Sequence, residues 1–215
     1  MKKNTSRLFF EILDAKRRDS FALLKRLCPT GVLGGGTAMA LHLKHRESLD
    51  LDVFTEKSIP KNLLRKLAAA FGEKRVRPLV DTADELSAVV DDDIKITFLY
   101  FPFPPLHPII PTHGIPLFSL ADLASNKAYA IGRRGVFRDY VDLYFLMQND
   151  TLLENIIPEC EQRFGANFDR KLFLEQLVYF GDFTDFNVKY LGKEASPEEI
   201  KRFFEKKTRE YIASS

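Results

Sequence analysis

The chain has no tryptophan, and only two cysteines, three methionines and four histidines in 215 residues. Two cysteines, Cys28 and Cys160, are too few for a disulfide framework and lack the close spacing of a metal-ligand pair. Buried, reduced thiols in a cytoplasmic protein are expected. His42, His45, His107 and His113 share no helical or strand spacing, which argues against a zinc centre. An excess of one charge is also missing. With 32 Lys and Arg against 30 Asp and Glu, the net charge is +2, so only local charge can inform on a nucleic-acid partner. No stretch approaches the ~18 uninterrupted apolar residues of a membrane span. The start, Met1-Lys2-Lys3-Asn4, is followed by Arg7, Glu11 and Asp14 rather than by the apolar core of a secretory signal. What remains, 45% hydrophobic and 29% charged, is the composition of an ordinary soluble globular protein. Its length allows one substantial core or two small lobes.

Periodicity divides the chain in two. Residues 6–27 carry apolar positions at helical spacing among many charges. Gly31-Val32-Leu33 reads as a short strand entering the turn Gly34-Gly35-Gly36-Thr37, and residues 37–44 as a helix. Residues 49–54 form a strand, and 60–71 a helix stopped by Gly72. Three strands are expected at 75–80, 85–90 and 94–101, the last two joined by Asp91-Asp92-Asp93. Residues 102–116 hold six of the eleven prolines and can be neither helix nor central strand. The spacing then predicts helices at about 119–131, 136–147, 151–164 and 168–180. A last helix is announced by the N-cap Ser196 with Pro197 behind it. The expected layout is a sheet-containing lobe over 1–116 with its proline-rich connection, and a helical lobe over 117–215.

Three elements carry chemistry. The glycine turn lets backbone approach a phosphate, and the helix start behind it offers unpaired N–H groups. Thr37 adds a hydroxyl donor. Asp50 and Asp52 are two residues apart on the next strand and share a face, as two carboxylates must to hold a divalent cation. A bare Asp-x-Asp is more often a solvated strand edge; the ordered series of glycine turn, helix and Ser48-Leu49-Asp50-Leu51-Asp52 is what shifts the balance. The third element is Lys127 on one helix with Asp139 and Asp142 three apart on the next. A surface pair of Arg138 with Asp142 is the plainer reading of that stretch.

Together these motifs resemble the AbiEii/AbiGii toxin family of nucleotidyltransferases, within the DNA polymerase β-like superfamily. Gly35-Gly36-Thr37-Ala38-Met39-Ala40-Leu41 and His45-Arg46-Glu47-Ser48-Leu49-Asp50-Leu51-Asp52-Val53-Phe54-Thr55 match the first signature. Lys127 with Arg138-Asp139-Tyr140-Val141-Asp142-Leu143-Tyr144 matches the second. The resemblance implies an α/β (α+β) fold: a mixed sheet flanked by helices, plus a helical C-terminal lobe that completes the active site. It implies Mg²⁺ (or Mn²⁺) held by Asp50 and Asp52, and a nucleoside triphosphate at Gly35, Gly36, Thr37, Ser48 and Lys127. It implies an RNA acceptor, tRNA favoured, a catalytic acid at Asp139 or Asp142, and a separate antitoxin protein as partner.

One departure stands out. Related enzymes carry a third carboxylate on a later strand, here expected near Thr97, which is not an acid. Either Asp139 or Asp142 supplies it, or the chain binds nucleotide without transferring it. Transfer to a protein hydroxyl is a further alternative. His45 and Arg46 are placed to reach a phosphate, and Phe98, Tyr100, Phe101 and Phe103 read as packing.

Overall fold

The computed structural model describes residues 7–148 and 151–214; Met1-Lys2-Lys3-Asn4, read above for the missing secretory signal, lies outside them. Asp14 caps α1 (Ala15–Leu27), accepting a 2.8 Å bond from the Arg17 amide. Then come β1 (Val32–Leu33), α2 (Gly35–Leu43), β2 (Leu51–Thr55), α3 (Leu63–Phe71), β3 (Val76–Asp81), β4 (Glu85–Val90) and β5 (Ile94–Tyr100). Five helices follow: α4 (Leu120–Ile131), α5 (Phe137–Met147), α6 (Leu153–Phe164), α7 (Arg170–Val178) and α8 (Pro197–Ser214). No helix among the described residues is long and apolar enough to cross a membrane.

The chain forms two compact units. Met1–His42 and Ser48–Ser119 make the first; Leu43–Glu47 and Leu120–Ser215 make the second. The short segment between α2 and β2 therefore belongs with the C-terminal helices, although the sequence around it is contiguous with the glycine turn and Asp50.

The first unit is built on a mixed five-stranded sheet in the order β1-β2-β5-β4-β3, with β2 and β5 parallel and the other pairs antiparallel. Alternation sets its faces. Leu51 and Val53 on β2, Ile96 and Phe98 on β5, and Leu86 and Ala88 on β4 are fully buried and lie side by side in register. The opposite face carries Asp52, Thr97 and Ser87, also aligned across the three strands. Asp91 and Asp92 take positive φ (53° and 66°) in the turn between β4 and β5, a conformation that Asp tolerates better than most residues. The proline-rich stretch pairs only through isolated bridges, Ile110 to Leu117 and Leu33 to Leu117.

The second unit is helical. Tyr140 of α5 is fully buried among Phe180, Phe183 and Phe204, at 4.8–6.0 Å between ring centroids. Its hydroxyl donates to the Gln176 carbonyl at 2.7 Å. A buried ion pair, Arg163 to Asp122 at 3.3 Å, ties α6 to α4, and Arg163 also donates to Ser125 Oγ at 2.9 Å. Ser196 caps α8, its hydroxyl accepting from the Glu199 amide at 3.1 Å.

Candidate active-site residues

In the first unit the glycine turn and Asp52 are fitted to one another. The Gly34 amide donates to the Asp52 carbonyl at 2.9 Å, which stitches the turn to β2. Gly35 has φ +65°, and a Cβ there would overlap Asp52 Oδ2. Two independent constraints therefore select glycine: a left-handed backbone and a carboxylate occupying the space of a side chain. Gly36 and Thr37 follow in the first turn of α2. Asp52 is half-buried. Asp50 is exposed and lies one residue before β2 begins, so the strand is entered later than the sequence pattern predicts.

Thr37 has a defined task. It is 1% exposed, and its hydroxyl donates to the Asp50 carbonyl and lies 3.1 Å from Ser48 Oγ. It thus fixes the backbone that presents Asp50. Arg17 braces the same backbone from α1, donating Nε to the Leu49 carbonyl at 3.3 Å and Nη2 to the Asp93 carbonyl at 2.9 Å. No sequence signal distinguished Arg17 from the other cations of α1.

Thr97 stands in register with Asp52, and Ser87 in register with Thr97. Both hydroxyls are buried, 3.5 Å apart. Where a third carboxylate was expected, this chain has a pair of neutral hydroxyls. Among the described residues, no group of three or more His, Cys, Asp or Glu side chains is arranged to hold a metal ion. Asp50 and Asp52 supply two hard oxygen donors. That suits a cation such as Mg²⁺, which commonly takes one or two carboxylates and completes its shell with water and substrate phosphates.

The second unit contains a buried charge cluster. Asp142 is fully buried and accepts from Arg46 Nε (2.6 Å) and Nη2 (2.8 Å), from His45 Nε2 (2.7 Å) and from Lys127 Nζ (2.6 Å). Lys127 also donates to Asp139 Oδ1 at 2.7 Å. Asp139 Oδ2 has Arg134 3.2 Å away, yet no aligned hydrogen bond. Burial works against the charges of Asp142, Lys127 and Arg46. For Asp142, Lys127 and Arg46 outweigh that cost and hold the carboxyl well below its usual range. For Lys127, Asp139 and Asp142 outweigh burial and hold the amine above its usual range. Arg46 is raised in the same way, against burial, chiefly by Asp142.

His45 and Arg46, expected near a phosphate, are instead bound to Asp142. Their segment is held further by main-chain bonds to 189–191: the Glu47 amide donates to the Lys189 carbonyl at 2.8 Å, and the Leu191 amide to the His45 carbonyl at 3.0 Å. The surface pair of Arg138 with Asp142 does not form, since Asp142 is buried and Arg138 is exposed.

Removing the Asp142 charge should leave Arg46 and Lys127 facing each other in a buried site. Asp142→Asn is expected to lower stability by about 3 kcal/mol at neutral pH. The Asp142 carboxyl is depressed, so its contribution is complete above the unfolded value of ~4 and is lost as pH falls through the lower folded value. Urea unfolding should therefore show a constant gap between wild type and variant from pH 7 to about 4, narrowing below.

Comparisons with known proteins show the family. Residues 22–211 match the family described as nucleotidyl transferase AbiEii toxin, type IV TA system. An uncharacterized protein of Aquifex aeolicus (strain VF5) is 30% identical over 188 residues, covering 86% of this chain and 90% of that protein. Among solved structures, MenT4, a nucleotidyltransferase toxin of Mycobacterium tuberculosis H37Rv, superposes with a TM-score of 0.61 at 15% identity, over 90% of this chain and 80% of MenT4. A candidate nucleotidyltransferase from H. pylori superposes with a TM-score of 0.52 at 17% identity, over 94% of this chain and 99% of that one. At these identities the structures speak for the shared fold alone. By its sequence match over most of its length, the chain belongs to the AbiEii nucleotidyltransferase toxin family.

Proposed function

We propose that this protein is a cytoplasmic toxin that transfers a nucleotide from a nucleoside triphosphate to a hydroxyl of RNA, tRNA being the favoured acceptor, and that a separate antitoxin protein restrains it. The observation that carries the reading is the fit of Asp52 into the space that Gly35 leaves, beside the start of α2, where the first N–H groups of a helix have no partner within it. That arrangement supports a triphosphate on the turn at Gly35, Gly36, Thr37 and Ser48, with its cation on Asp50 and Asp52. Thr37 and Ser48 serve mainly by fixing the backbone that carries Asp50.

In the reaction, the acceptor oxygen bonds to the α-phosphorus, the bond to the β-phosphate bridging oxygen breaks, and pyrophosphate leaves with the electron pair. A bound Mg²⁺ (or Mn²⁺) supplies Lewis-acid stabilisation of the charge on the phosphoryl oxygens. Asp50 and Asp52 would hold that cation in place, and the turn would orient the triphosphate. Lys127 has three N–H donors, two of them committed to Asp139 and Asp142. We assign the third to the leaving phosphates. Asp142 has all its lone-pair directions engaged, so it positions Lys127 and is not the proton acceptor. Asp139, with one oxygen lacking a hydrogen bond, is the acid assigned to the hydroxyl proton.

Asp52→Asn is expected to reduce Mg²⁺-dependent transfer from labelled triphosphate to total RNA by roughly 10²–10³-fold or more, the loss expected for a charged group acting on the transition state. Unchanged transfer would refute the site. Label appearing in protein rather than RNA would instead identify a protein hydroxyl as acceptor.

Thr97 favours a second reading, a nucleotide-binding protein without transfer, because the base position beside Asp52 is a hydroxyl. Either reading makes the same demand on the metal. Two carboxylates without a third should bind cation weakly until phosphates complete the shell. Titration with Mn²⁺ monitored by electron paramagnetic resonance should show little binding to the protein alone and one ion per chain once a non-hydrolysable triphosphate is present. Thr97→Asp should create binding without nucleotide.

A further inference from the structure

Positive charge is concentrated on α1 and at residues 60–71. Helix α1 and residues 60–71 hold eight of the 32 Lys and Arg residues but one of the 30 Asp and Glu residues, Asp19. The rest of the chain is consequently net acidic. Of those eight cations only Arg17 is buried. Lys16, Arg18, Lys25 and Arg26 are exposed on α1, and Lys61, Arg65 and Lys66 at α3. No carboxylate among the described residues pairs with Arg18, Arg26, Arg65 or Lys66. Elsewhere several surface cations are matched, Lys206 and Lys207 by Glu210, Lys201 by Glu205 and Arg170 by Glu161. Arg77, Lys95 and Arg209 are exposed and pair with no carboxylate among the described residues, but each lies outside that cluster.

The two helices enclose an open groove whose walls are Leu23, Arg26 and Leu27 on one side and Lys66, Ala69 and Ala70 on the other. Exposed alanines let a backbone come close, and Arg26 and Lys66 flank it from both sides. The groove has no exposed aromatic anchor, the residue type that a protein interface core favours. Unmatched cations around small side chains fit a phosphate backbone better. The tract also leads to the proposed site: Arg17, in the first turn of α1, binds the Leu49 carbonyl one residue before Asp50.

We propose that the α1–α3 face is the docking surface for the sugar-phosphate backbone of the RNA acceptor, engaging it through Arg26 and Lys66. This rests on the RNA-transferase reading for the identity of the polyanion. It goes beyond that reading by placing the acceptor's body on a surface that contains none of the proposed catalytic residues.

The test is equilibrium binding of bulk tRNA to the full-length protein by fluorescence anisotropy over a range of salt. The charge reversal R26E/K66E should weaken binding at least tenfold near 0.1 M salt. It should also lower the slope of log K against log salt by about 1.5–2, as expected for two lost phosphate contacts. The neutral pair R26Q/K66Q should show the same change in slope with a smaller loss. Both variants should keep wild-type Mn²⁺-triphosphate binding and thermal midpoint, and K206E/K207E on α8 should leave the slope unchanged. Wild-type affinity and slope in R26E/K66E would overturn the proposal. Polyglutamate competing as well as tRNA would also overturn it, in favour of an acidic protein partner. Absence of tRNA binding by wild type would overturn the surface assignment too. If triphosphate binding persisted in that case, the nucleotide site itself would stand.

Discussion

Asp142 is the residue on which the second unit depends. A wholly buried carboxylate is tolerated only when its lone pairs are filled by charged donors, and here Arg46, His45 and Lys127 fill them. The consequence reaches beyond charge balance. Arg46 and His45 come from the segment between α2 and β2, Lys127 from α4 and Asp142 from α5. One carboxylate therefore fixes three parts of the chain, and it binds into the helical unit a segment whose two ends lead to the glycine turn and to Asp50. It also leaves Lys127 with its charge intact and one donor to spend.

The first unit solves a different problem, that of holding a carboxylate close to backbone without burying it. Gly35 contributes by lacking a side chain, Gly34 by its amide bond to the Asp52 carbonyl, and Thr37 with Arg17 by fixing the approach to Asp50. The neutral Thr97–Ser87 pair beside Asp52 lowers the negative charge the site must carry when no cation is bound. Like charges side by side would repel.

Much of this was legible in the sequence. The glycine turn and Asp52 were readable because each places a strict local demand on residue type. Helix ends were readable where a cap marks them, as at Ser196, and less so at β2, which begins after Asp50 because Asp50 is exposed and only its carbonyl is engaged. The fold class followed from the two motifs and from the change of texture at the prolines. The partners of Asp142 were not legible: Arg46 is 96 residues away in sequence, and nothing in local periodicity links an arginine before one strand to an acid in a distant helix. The bracing by Arg17 was hidden for the same reason, among equivalent-looking cations. The meaning of Thr97 was readable only as an absence, until register set it beside Asp52.

Asp142 serves as a charge clamp on Arg46. A double-mutant cycle on folding stability tests it most directly, using Arg46→Met, Asp142→Leu and the pair together. A clamp predicts that each single change is strongly destabilising and that the double variant loses about 2–3 kcal/mol less than the sum of the two single losses. Additive losses, with no coupling between the two positions, would contradict it.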